Sequence, residues 1–138
     1  MAKAERLPEK MTAIAITAPG GPLVLRPEKR ELPQPEANEV LIKVKAAGVN
    51  RPDIMQRKGL YPAPPGASDL PGLEVSGTIA AVGENVERWR IGDQVCALTP
   101  GGGYAEYVKC DAGSVLPVPA GFTFTEAAAL PENYFTVW

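Results

Sequence analysis

Proline and glycine punctuate this chain too often for any long element to form. Fifteen Pro and 14 Gly are scattered among 138 residues, without a repeat or a low-complexity tract. Such residues interrupt helices and strand interiors alike, so short elements joined by turns are expected. Between the breaks, apolar residues recur at every second position, the period of a strand. "TAIAITAP" (12–19) sets Ile14 and Ile16 on one face ahead of the turn "PGGP". "LVLRPEKREL" (23–32) continues as a ribbon, with Pro27 placing it at an edge or a bulge. "EVLIKVKAAGV" (39–49) opposes Val40, Ile42, Val44 and Ala46 to Lys43 and Lys45. "GLEVSGTIAAVG" (72–83) opposes Val75, Gly77, Ile79 and Ala81 to Ser76, Thr78 and Ala80. "DQVCALTP" (93–100), "GGYAEYVKC" (102–110) and "SVLPVP" (114–119) are further short strands. The fold class is mainly β with short helices, its strands closing into a small, partly open barrel.

Helical signals are few. "RPDIMQRKG" (51–59) has Pro52 in its first turn, Arg57 and Lys58 in its last, and Gly59 as a stop. "TFTEAAAL" (123–130) has the capping-box spacing at Thr123 and Glu126 ahead of an alanine run. "PENYFTVW" (131–138) begins a third helical pattern and ends on Trp138 without a cap. We read residues 1–10 as a polar tail, 11–130 as the domain, and 131–138 as the start of a second, truncated domain. A C-terminal helix docked back on the barrel is the alternative.

Charge and rare residues narrow the function. The net charge is −2, with 14 basic and 16 acidic residues intermixed and no basic stripe, which disfavours a nucleic-acid partner. No apolar run approaches the length of a membrane span, and the N-terminus has no apolar leader; a cytoplasmic protein is expected. There is no histidine and only two cysteines, Cys96 and Cys110. Serine–histidine and cysteine–histidine nucleophiles are thereby removed, as are most zinc sites. Two reduced thiols are expected, with Cys96 packed in a buried strand.

Glycines Gly101 and Gly103 open a pattern that resembles a dinucleotide loop, but Glu106 stands at its third glycine and no helix follows. A hairpin turn is the better reading. Asp53, Asp69, Glu74 and Asp93 lie near turns with no fixed pairing. Asp93 suits a turn that binds backbone amides. Glu74, inside a central strand, would need a partner, and an ion pair with Arg51 or Arg57 is expected. On residue type alone, Asn50 is a helix cap or turn residue and Tyr61 a loop aromatic over the barrel mouth.

Two motifs change the weight of these readings. "VGENVERWRIGDQV" (82–95) and "GVNRPD" (48–53) followed by "PGLEVSG" (71–77) together resemble the catalytic domain of medium-chain dehydrogenases/reductases, whose fold is GroES-like. The resemblance covers about residues 11–138. Zinc-dependent alcohol dehydrogenases of that superfamily carry Cys-His where this chain has Asn50-Arg51, and Gly-His-Glu where it has Gly72-Leu73-Glu74. Their four-cysteine structural-zinc loop is also absent. "NRPDIMQRKGLYPAPPGAS" (50–68), "PGGGYAEYV" (100–108) and "EAAALPENYFTVW" (126–138) look most like the zinc-free NADPH:quinone oxidoreductase branch, of the tumour-suppressor-induced type.

That resemblance implies an enzyme of two domains, with NADPH held mainly by a C-terminal Rossmann domain. It implies hydride transfer to a quinone, no metal, and a homodimer at full length. It maps cofactor contacts onto Asn50, Tyr61 and Thr136, and a catalytic role onto Tyr61. Hydride arriving at a quinone leaves negative charge on oxygen, and a phenol, protonated at neutral pH, can donate to it. A quinone is already electrophilic and needs no Lewis acid. A conjugated-carbonyl (enoyl) reductase on the same frame, or a non-catalytic GroES-like interaction module, stands as the alternative.

Overall fold

A computed structural model describes residues 6–133. Seven strands and two short helices follow the punctuation read from the sequence. They are β1 (Lys10–Ile16), β2 (Leu25–Glu31), β3 (Glu39–Ala47), α1 (Arg51–Arg57), β4 (Glu74–Val82), β5 (Gln94–Leu98), β6 (Tyr107–Asp111), β7 (Val115–Pro117) and α2 (Phe124–Ala128). β1 and β2 form an antiparallel ribbon, in which Pro27 pairs with Ile14. The other five make one antiparallel sheet in the order β6-β3-β4-β5-β7. The ribbon joins this sheet through the 104–106 segment: Ile14 N–H donates to Tyr104 O at 2.7 Å, and Glu106 N–H to Thr12 O at 3.1 Å. The two sheets are open rather than closed into one ring, as a partly open barrel requires. No helix among the described residues is long and apolar enough to cross a membrane.

β3 differs from its expected alternation. Val40, Leu41 and Ile42 are all fully buried. Val40 and Ile42 join a core with Val75, Ile79, Trp89, Val95 and Val115; Leu41 joins a second core with Met11, Leu32, Leu70 and Tyr107. The strand is a wall between two cores, so neither of its faces is solvated at this point. The β3–β4 register also slips between Leu41 and Ile42, which turns Ala81 toward the second core instead of joining Ile79.

The glycine loop is a second correction. β5 and β6 are not partners, since β4 and β3 lie between them. "PGGG" is therefore a crossover, not a hairpin turn. It crosses the 70–72 loop, donating Gly102 N–H to Leu70 O (2.9 Å), Gly103 N–H to Gly72 O (3.1 Å) and Tyr104 N–H to Pro71 O (3.0 Å). At Gly72 φ is +108°, and a Cβ there would stand 2.6 Å from Gly103 Cα and Tyr104 N, so glycine alone fits. Other local expectations hold. Gly59 ends α1 at φ +79°, Asp93 Oδ2 accepts the Arg90 N–H at 2.9 Å, and Cys96 and Cys110 are free and buried.

Candidate functional site

Asn50 is the N-cap of α1, its backbone extended at φ −122°, ψ 161°. Asp53 turns its carboxylate back to it: Oδ2 accepts the Asn50 N–H at 3.0 Å. Asp53 does more than this. It is only 4% exposed, its Oδ1 accepts the Gly72 N–H at 3.0 Å, and Oδ2 also accepts the Tyr104 hydroxyl at 3.1 Å. Three donors from three segments thus satisfy one buried carboxylate. Burial, and then the negative charge of Asp53, push the Tyr104 phenol well above the ordinary tyrosine range, which keeps it a donor. Thr99 Oγ1 donates to the Gly72 carbonyl at 3.0 Å, so both polar groups of the Gly72 backbone are held.

Glu74, 2% exposed, lies at the start of β4. Its Oε1 accepts Asn50 Nδ2 at 3.0 Å and its Oε2 the Glu132 N–H at 2.9 Å. Gly48 leaves the room for this side chain, because a Cβ at 48 would lie 2.0 Å from Oε1. The expected ion pair with Arg51 or Arg57 is not formed among the described residues. Arg51 is exposed, and Arg57 Nε donates instead to Gly20 O at 3.1 Å. Amide donors satisfy the carboxylate without a second charge being taken out of water.

The remaining candidates fall elsewhere. Tyr61 stands 42% exposed on the loop after α1, and its hydroxyl makes no hydrogen bond among the described residues. The structure therefore draws Asn50 into the carboxylate cluster and leaves Tyr61 outside it. Thr136 lies outside the described residues. The far end of the Tyr61 loop is pinned: Arg30 grips Asp69 with two bonds of 2.8 and 2.9 Å, and Gln56 Nε2 donates to Asp69 O at 3.0 Å. Arg30 holds the Asp69 carboxyl below its usual range. Asp53, Glu74 and Tyr104 were not assigned as a cluster from sequence. The only available signal was the two glycine-bearing stretches, 71–72 and 101–103, and their crossing is a tertiary fact. A groove of about 790 Å³ opens beside the crossing, with Leu70, Thr99, Gly102 and Tyr107 among its walls, but neither Asn50 nor Tyr61 lines it.

Residues 36–120 match the alcohol dehydrogenase GroES-like domain family. The chain belongs to this family. Over 140 aligned residues the GroES-like domain is 41% identical to the quinone oxidoreductase of Lama guanicoe, spanning all of this chain and 42% of that protein. It is 37% identical to the crystal structure of human synaptic vesicle membrane protein VAT-1 homolog-like protein, with a TM-score of 0.85 over 92% of this chain and 41% of that one. Against CurK enoyl reductase the values are 30% identity and a TM-score of 0.82, over 94% of this chain and 41% of that one. The chain spans less than half the length of these relatives. The GroES-like fold and these relatives place it among the medium-chain dehydrogenases/reductases.

Such enzymes imply a nicotinamide cofactor. The glycine loop does not offer a cradle for its pyrophosphate: the N–H groups of Gly102, Gly103 and Tyr104 are already given to carbonyls, and the loop runs into β6 instead of a helix. Among the described residues, no three Cys, His, Asp or Glu side chains converge to hold a metal ion.

Proposed function

We propose that this chain is the substrate-side domain of a cytoplasmic, NADPH-dependent quinone oxidoreductase that works without zinc. The observation that carries the reading is the 41% identity to a quinone oxidoreductase along the whole chain. The hydrogen bonding of Glu74 supports the metal-free part, since both carboxylate oxygens are engaged by amide N–H groups. In this reading residues 131–138 open a C-terminal Rossmann domain that binds the dinucleotide, and the full-length protein is a homodimer. Bound NADPH supplies a hydride. With a proton taken up from solvent, that hydride would convert quinone to hydroquinone.

The chain's own part is to position and to stabilise charge. Tyr61, exposed and without a partner hydroxyl contact among the described residues, is free to donate to the developing oxyanion. Asn50, fixed at the head of α1, presents its edge to the cofactor ring in this reading, with Thr136 as a further cofactor contact. Replacing Tyr61 by Phe in the protein that includes the following domain should lower quinone turnover about a hundredfold, with the circular dichroism spectrum unchanged. An unaltered rate would remove Tyr61 from the chemistry.

The similarity to CurK enoyl reductase favours a second reading, reduction of a conjugated carbonyl on the same frame. Steady-state rates with a series of quinones and enones separate the two. Because the amides of the 102–104 loop are already given to carbonyls, a domain beyond these residues would hold the pyrophosphate in this reading, and residues 1–138 alone should be inactive. Titration calorimetry with NADPH should show no micromolar binding to them, and such binding would overturn the two-domain reading.

A further inference from the structure

One buried side chain touches both the site and the 131–133 segment. Glu74 holds Asn50 with one oxygen and the Glu132 backbone with the other. Residues 131–133 have helical backbone. The Glu132 N–H is thus one of the first-turn donors that a helix cannot satisfy internally. A carboxylate answers it with both an acceptor and a favourable charge. The approach to this point is fixed: Pro131, Ala127 and Ala128 are buried, and Ser76 Oγ donates to the Phe124 carbonyl. Strand β4 therefore grips the 124–132 segment twice, through Ser76 at Phe124 and through Glu74 at Glu132.

A carboxylate accepts and cannot donate. Asn50 must consequently face Glu74 with its Nδ2, which sets the sense of the whole amide. Gly48 fits against the Glu74 side chain with no space for a methyl group, so the planar carboxylate cannot swing freely toward it.

We propose that Glu74 is a positioning residue that couples the orientation of the Asn50 amide to the seating of the chain at Glu132. Movement of the 131–133 segment tilts the carboxylate, and the tilt reaches Asn50. Its bearing on catalysis rests on the function proposed above; the coupling itself does not.

Two variants of the full chain test it by amide hydrogen exchange and by the Asn50 side-chain NH₂ resonances. Asn50→Ser keeps a good N-cap residue but removes the bond to Glu74. It should speed exchange at the Glu132 amide about fivefold to tenfold, the worth of one net hydrogen bond, although Asn50 does not touch that amide. Exchange at Ile79 and Val95 should stay the same. Glu74→Gln, which replaces one acceptor oxygen by a donor, should shift the Asn50 NH₂ resonances and loosen Glu132 together. Unchanged protection at Glu132 in Asn50→Ser overturns the coupling, and this variant decides alone if Glu74→Gln fails to fold. Neither readout uses a substrate, so failure of the quinone reading would leave them standing.

Discussion

At the scale of single residues, the site is an accounting of donors around two buried carboxylates. Asp53 receives three and Glu74 two, and no buried side-chain polar atom among the described residues lacks a partner. Asp53→Asn would present an N–H to at least one incoming donor. We expect a loss of about 2 kcal/mol in urea denaturation, against about 1 kcal/mol for Tyr104→Phe, which deletes one donor and leaves the carboxylate two others. Sequence could name Asp53, Glu74 and Asn50 as residues near turns, but not their partners. Those partners stand from 19 to 58 positions away along the chain, apart from the local cap. Residue type says that a buried carboxylate needs donors; only the fold says that amides and a phenol, not arginines, supply them.

At the scale of elements, local chemistry was readable wherever it decides the outcome. The capping box of α2 is formed as its spacing suggests: Thr123 Oγ1 accepts the Glu126 N–H at 3.1 Å and Glu126 Oε1 the Thr123 N–H at 3.0 Å. Thr123→Ala should cost about 1 kcal/mol by thermal unfolding, and Thr123→Ser nearly nothing. Five of the seven strands fall within the alternating runs; β1 begins two residues ahead of its run, at Lys10, and β6 ends one residue past its own, at Asp111. Two features escaped that reading, and for one reason: both are settled between elements. The β3–β4 slip at Leu41 depends on the partner strand, and the path of "PGGG" depends on β3 and β4 lying between β5 and β6. Glycine-rich sequence marks close backbone approach equally well in a hairpin or a crossing.

At the scale of the whole molecule, two cores share β3, and both thiols are buried near acidic groups. Burial, then the charges of Glu39 and Asp111, push Cys110 up to about 12. Burial, then Glu74, raises Cys96. Unfolded, these thiols ionise near pH 9; folded, they keep their protons. The native state therefore binds more protons above that pH, and its stability is full below about pH 9 and falls as pH rises toward 12. Urea midpoints from pH 7 to 11 should show the decline, and Cys110→Ala should flatten it. Thiol reagents should label neither cysteine until the protein unfolds.

The Tyr61 loop has a consequence of a different kind. Its first end follows the Gly59 stop and its second is tied by Arg30 and Gln56 to Asp69, next to the buried Leu70. Between these anchors Gly66 is open, with nothing within 4 Å of where a side chain would begin. Insertions at Gly66 should therefore open the turn that the Ala67 N–H closes on Pro64 O at 3.0 Å, and leave the cores and both anchors in place. The rim that an acceptor molecule would meet can be lengthened and diversified, in a laboratory library or over generations, while the scaffold beneath stays as it is.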